Sequence, residues 1–159
     1  MFSILGDIRG LSFLDLYCGS GSVGIEAASR GAEPIVFVEK DRGKRTVLER
    51  NLSFVGERIQ IFMLPVEHFL RRTKNRYDLV FLDPPFRQRG KLEVLQLIAE
   101  RSVVDSGGVL LIHMSKEELK LFPEVLVSQG KPRLQLSDQR LYGGSLLLFY
   151  RSSGFSSME

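Results

Sequence analysis

The sequence predicts an α/β domain, a mostly parallel sheet of seven strands with helices on both faces and an antiparallel β-hairpin at its carboxyl end. Three observations predict it. Short apolar runs alternate with helical stretches from residue 12 to residue 122. A glycine-rich turn joins the first run to the first long helix. The last two runs are separated only by Tyr142-Gly143-Gly144, too little chain for a crossover helix.

Taken in order, residues 12–17 read as a buried strand, and residues 22–30 as the helix it feeds, stopped by Gly31. Residues 34–38 repeat the strand signal, Asp41 can cap a helix over 41–55, and residues 58–63 form a third strand. A helix over 66–73 leads to residues 77–82, an unbroken apolar strand apart from Asp78, which ends at Pro84-Pro85. Helix, strand and helix follow at 91–101, 108–113 and 116–122. Residues 133–141 and 145–151 make the hairpin. One domain over residues 1–151 is expected, with a Ser-rich, disordered tail over 152–159.

Composition narrows the function classes. The chain of 159 residues is 43% hydrophobic and 26% charged, the balance of a soluble globular protein, and no apolar run approaches a membrane span. Its opening residues do not read as a secretory signal, so a cytoplasmic location is expected. A single cysteine excludes an internal disulfide framework, and two histidines, His68 and His113, sit far apart without ligand spacing, so no metal is expected. The net charge is +3, with positive residues gathered in Arg71-Arg72-Thr73-Lys74-Asn75-Arg76 and Arg87-Gln88-Arg89-Gly90-Lys91. Such clusters could hold phosphates, although the first also reads as a solvated helix end.

Gly19-Ser20-Gly21-Ser22-Val23-Gly24 matches GxGxxG between a strand and a helix, and Glu39 stands where the ribose-binding acid of a Rossmann-like fold belongs. Charge separates the candidate nucleosides. Asp15, four residues before Gly19, would repel a pyrophosphate but suits the ammonium and sulfonium of S-adenosylmethionine. Glu39 can accept from both hydroxyls of a ribose.

The sharpest signal is Asp83-Pro84-Pro85-Phe86 directly after a buried strand. The prolines fix φ and remove two N–H donors. The Asp83 carboxylate and the Pro84 carbonyl then form a pair of acceptors for the two hydrogens of an exocyclic amine, and Phe86 offers a face for a flat base. An aniline-like amine is a poor nucleophile because its lone pair is delocalised into the ring. Two acceptors pulling its hydrogens would free that pair for attack on a sulfonium methyl.

With these residues in place the chain resembles the RsmD family of ribosomal RNA guanine-N2 methyltransferases, within the class I methyltransferases. The resemblance is carried by residues 13–21, residues 24–32 with their Ser29-Arg30-Gly31-Ala32 stretch, residues 37–39, Asn51-Leu52 and residues 81–86. It implies S-adenosylmethionine as methyl donor, held by Asp15, Tyr17, Cys18, Gly19, Ser20, Gly21, Glu39, Lys40 and Val66. It implies Asp83, Pro84, Pro85 and Phe86 as the catalytic group. The implied substrate is a guanine of small-subunit (16S) ribosomal RNA, free or in an assembling particle, and a monomer is expected. Two departures stand out. Pro65 occupies the position of an acidic residue that contacts adenine in the family, which leaves that task to the backbone near Val66 or to apolar walls. The family's basic N-terminal extension has no counterpart before Met1, so either the natural start lies upstream or the RNA is held more weakly.

Cys18 reads as packing rather than as a nucleophile, and His68 and His113 read as structural residues without partners. The tetrapeptide logic also fits an adenine-N6 DNA methyltransferase or a protein amide methyltransferase. The complete GxGxxG leaves an NAD-dependent oxidoreductase open, as well as a domain that binds without turnover.

Overall fold

The computed structural model describes residues 1–56 and 58–153. It contains five helices, α1 (Phe2–Leu5), α2 (Ser22–Ser29), α3 (Arg45–Leu52), α4 (Val66–Arg72) and α5 (Lys91–Glu100). The strands are β1 (Phe13–Leu16), β2 (Ile35–Val38), β3 (Ile59–Phe62), β4 (Tyr77–Leu82), β5 (Val104–Ser115), β6 (Val125–Ser128), β7 (Lys131–Tyr142) and β8 (Ser145–Ser152). They form one sheet in the order β3-β2-β1-β4-β5-β8-β7-β6. The first five strands in that order run parallel, and β8, β7 and β6 are antiparallel.

The apolar runs at the centre of the sheet form strands buried on both faces, as in β1 and β2, where every residue is buried. Alternate residues enter two separate cores. Leu14, Leu16, Val80, Leu82, Leu110 and Ile112 pack beneath α4 and α5 with Leu70, Leu95 and Ile98. Phe13, Phe37, Phe81 and Leu111 pack on the other face with Ala27 of α2 and Leu48 of α3. The period of two therefore decides which layer each side chain joins.

The sheet has eight strands, not the expected seven. The additional strand is β6, four residues of Val-Leu-Val-Ser with only alternate side chains buried, lying at the sheet edge beside β7. So short an alternation is easily read as loop. Its clearest signal is the turn after it, where Gln129 and Gly130 both have positive φ, at 52° and 71°. The helix expected over 41–55 is instead a 3₁₀ turn at Arg42–Lys44 followed by α3, and Asp41 caps the turn by accepting from the Gly43 N–H at 2.9 Å. The helix expected over 116–122 is a 3₁₀ turn at Lys116–Leu121, opened by a reciprocal cap between Ser115 and Glu118. β8 runs to Ser152, and residues 154–159 of the expected tail lie outside the described residues. Among the described residues no helix is long and apolar enough to cross a membrane.

Candidate methyl-donor and amine site

Parallel strands place their carboxyl ends along one rim, and the register of this sheet sets what stands there. Asp15 lies opposite Phe81, with Phe37 on its other side. Leu82, the last residue of β4, lies opposite Ile112. Counting two residues on from Phe37, Phe81 and Leu111 gives Glu39, Asp83 and His113, so these three share a face with Asp15. Four adjacent strands thus deliver Glu39, Asp15, Asp83 and His113, in that order, to the α2 side of the rim.

Asp15 is buried, only 1% exposed, beneath the glycine turn rather than out over it. Its Oδ2 accepts the Gly24 N–H at 3.1 Å, satisfying one of the free donors in the first turn of α2. Burial raises its pKa to about 7; the Gly24 bond opposes the rise, and the Asp83 and Glu39 carboxylates add to it. Glu39 uses both oxygens. Oε2 accepts from the Gly19 N–H and Oε1 from the Asp41 N–H, each at 3.0 Å, so one side chain holds together the turns after β1 and β2.

The turn itself is built around absent side chains. A Cβ on Gly24 would meet Cε1 of Phe37 at 2.3 Å, and one on Gly21 would meet Cδ1 of Leu48 at 2.7 Å. Asn51 donates its side-chain N–H to the Ser20 carbonyl at 2.9 Å, which ties α3 to the glycine turn. Tyr17 adopts φ 59° and its hydroxyl is buried with no hydrogen-bond partner. Burial, with the Glu67 carboxylate nearby, raises the pKa of that hydroxyl. Cys18 is buried, and burial together with Asp15 and Glu39 pushes its thiol pKa up, so it stays a neutral packing group. Ser20 and Lys40 are exposed at the rim. Val66 starts α4 with its side chain in the core, leaving its backbone as the part that can face a ligand.

Asp83 is partly exposed, Pro84 is buried, and Pro85 and Phe86 are exposed, Phe86 at 61%. The segment after them turns back through a Gln88 N–H to Pro85 carbonyl bond of 2.8 Å. Two contacts here escape sequence reasoning. Nδ1 of His113 lies 2.9 Å from Oδ1 of Asp83, so His113 is not the partnerless residue expected. Lys91, expected to help hold phosphate, is instead buried. Its ammonium donates to the Phe86 carbonyl at 3.0 Å and to Oε1 of Glu118 at 2.6 Å. Glu118 Oε2 in turn accepts from the Ser115 hydroxyl at 3.0 Å. Burial raises the Glu118 pKa, but the bonds from Lys91 and Ser115 outweigh that and hold it below the usual carboxylate range. Neither contact leaves a sequence signature, because the partners lie 30 and 27 residues apart.

The β7–β8 hairpin closes the other side. Ser115 pairs with Ser145, three residues beyond the Leu82 level, so the hairpin stands roughly 10 Å above the end of β4. Leu141 and Tyr142 are exposed at its tip, and Arg87, Arg89, Lys116, Lys120 and Arg140 are exposed on the surrounding segments. The Arg71–Arg76 stretch, by contrast, ends α4 and precedes β4, at the opposite rim. Two cavities of about 410 and 420 Å³, one against β7 and one against α4, include none of the four rim residues.

The family described as conserved hypothetical protein 95 matches residues 1–151. The chain belongs to this family. Over 134 residues it is 30% identical to ribosomal RNA small subunit methyltransferase D of Haemophilus influenzae, covering 81% of this chain and 69% of that protein. Over 130 residues it is 37% identical to the protein of the same name from Escherichia coli K12, covering 81% of this chain and 65% of that protein. The chain thus spans about two-thirds of the length of these relatives. A conserved hypothetical protein of Streptococcus pyogenes has the same fold, with a TM-score of 0.83 at 26% identity, covering 96% of this chain and 92% of that one. The expected RsmD membership and the class I methyltransferase fold both hold.

Proposed function

We propose that the chain transfers the methyl group of S-adenosylmethionine to the N2 amine of a guanine in small-subunit ribosomal RNA. The observation that carries this reading is the row Glu39–Asp15–Asp83, three carboxylates brought by adjacent strands to one face of the rim. Such a row suits a cation and opposes the pyrophosphate of a dinucleotide. Burial, with the Asp83 and Glu39 carboxylates adding to it, raises the Asp15 pKa to about 7, and a cation bound nearby would favour its charged form. S-adenosylmethionine supplies an electrophilic methyl on a sulfonium, a cationic ammonium, and a ribose diol.

Glu39 stands on the side of the donor's ribose hydroxyls, Asp15 supports the turn from beneath through its bond to Gly24, and the N-terminal turn of α2 offers N–H groups to the donor's carboxylate. Tyr17, Cys18, Gly19, Ser20, Gly21, Lys40 and the Val66 backbone complete this half of the site. Asp83 and the Pro84 carbonyl accept the two amine hydrogens, Pro85 stiffens the segment, and Phe86 stacks on the base. A guanine paired through its N2 must leave its helix before reaching this rim. The hairpin tip and the basic residues around it lie where the flanking strand would pass, which favours RNA over a small amine. The names of the relatives point to the small subunit. We place the reaction on an assembling particle or its naked RNA, with the protein acting as a cytoplasmic monomer.

The test is mass spectrometry of ribosomal RNA nucleosides from cells with and without the gene. N2-methylguanosine should disappear from small-subunit RNA when the gene is deleted, and should not return with an Asp83→Ala copy. Unchanged nucleosides in the deletion strain would refute the proposal.

A further inference from the structure

We infer that His113 is a positioning residue that orients Asp83 for the amine. The inference rests on the proposed role of Asp83 and extends it to a residue on the next strand.

His113 and Asp83 each stand one position beyond the paired Ile112 and Leu82, on the same face of neighbouring strands. A carboxylate can only accept, so the proton shared across the 2.9 Å contact belongs to Nδ1, and His113 donates to Oδ1. The imidazole also reaches the other end of the tetrapeptide, with its ring centroid 6.0 Å from that of Phe86 at a tilt of 56°. One side chain therefore touches the first and last residues of Asp83-Pro84-Pro85-Phe86.

A purely structural role explains this poorly. The two strands are already paired through Leu82 and Ile112, and His113 is one-third exposed, so it neither fills a core nor is needed to join β4 to β5. What the contact does change is Asp83. An aspartate at a strand end turns freely about its side-chain bonds and offers either oxygen. With Oδ1 occupied, Oδ2 is left to accept from the amine. His113 is itself fixed between β4 and β8, where Leu147 lies opposite it. The catalytic carboxylate thus takes its orientation from a central strand of the sheet.

The experiment compares His113→Asn, whose amide can present an N–H at the position of Nδ1, with His113→Leu, which cannot. Both are assayed by methyl transfer from labelled S-adenosylmethionine to undermethylated small ribosomal subunits, and their melting temperatures are recorded. For His113→Leu kcat is expected to fall about 10- to 100-fold with little change in the KM for S-adenosylmethionine, while His113→Asn stays within about 3-fold of the parent. Placed in an Asp83→Ala background, His113→Leu should cause no further loss, because its partner is gone. Equal activity of the Asn and Leu variants would overturn the inference, whether both are impaired or neither, and so would additive losses in the double variant. Full activity of Asp83→Ala alone would instead overturn the proposed role of the carboxylate.

Discussion

Asp15→Asn should make the ligand-free protein more stable, and the gain should grow with pH. In the wild-type chain the Asp15 pKa rises from 3.8 to about 7 because the carboxyl is almost fully buried. A raised pKa means the folded state favours the protonated carboxyl. Its contribution to stability is fully present below 3.8 and is lost as pH rises through about 7. At about 1.4 kcal/mol per pH unit, the full loss is on the order of 4 kcal/mol, of which roughly 2–3 kcal/mol falls between pH 5 and pH 8. Asparagine cannot ionise, yet its carbonyl can still accept from Gly24, so the variant escapes this loss. Urea unfolding of both proteins at a series of pH values measures the difference. The stability advantage of Asp15→Asn should widen by about that amount from pH 5 to pH 8, while its affinity for S-adenosylmethionine falls. A difference constant across this range would show that Asp15 is not held protonated by its surroundings, and would refute the burial argument.

Four further outcomes are expected. Glu118→Gln, which leaves the buried Lys91 ammonium without its counter-charge, should cost about 3–5 kcal/mol, and Lys91→Met, which leaves a partly solvated carboxylate still bonded to Ser115, distinctly less; equal losses by chemical unfolding would contradict the burial difference. Because the bond from Lys91 helps hold the Glu118 pKa down, its stabilisation is present above the ordinary glutamate range and lost as pH falls through the folded value, which unfolding of wild type and Lys91→Met at descending pH would resolve. Gly24→Ala drives a methyl into the Phe37 ring and should lower the melting temperature and weaken cofactor binding together. Tyr17→Phe removes a buried hydroxyl that lacks a partner and should raise stability by about 1 kcal/mol, unless that hydroxyl bonds the ligand, in which case the gain vanishes when S-adenosylmethionine is added.

The sequence discloses the parts of this protein that depend on neighbours along the chain. Buried strands such as β1 and β4 are continuous apolar runs, and the turn at Gly19 and the Asp83-Pro84-Pro85-Phe86 segment declare themselves through residues with unusual backbones. The 3₁₀ turn at Lys116–Leu121 spans only six residues, too few for apolar spacing to separate it from a short α-helix. β6 escaped because its pattern spans only four residues. The contacts that complete the site are of another kind. His113 meets Asp83 only because β4 and β5 pair in one register, and Lys91 turns inward only because Glu118 waits there. A lysine in a run of exposed basic residues looks like one more solvated charge until the fold supplies its partner.

The shared register of β2, β1, β4 and β5 carries a cost for variation. Inserting or deleting one residue within β4 would swing Asp83 to the layer beneath α4 and α5 and present Leu82 to the ligand instead. The four strands therefore work as a common ruler. A change of length is tolerable only in the connections, such as 87–90, where an added residue alters reach without moving any mark on the scale.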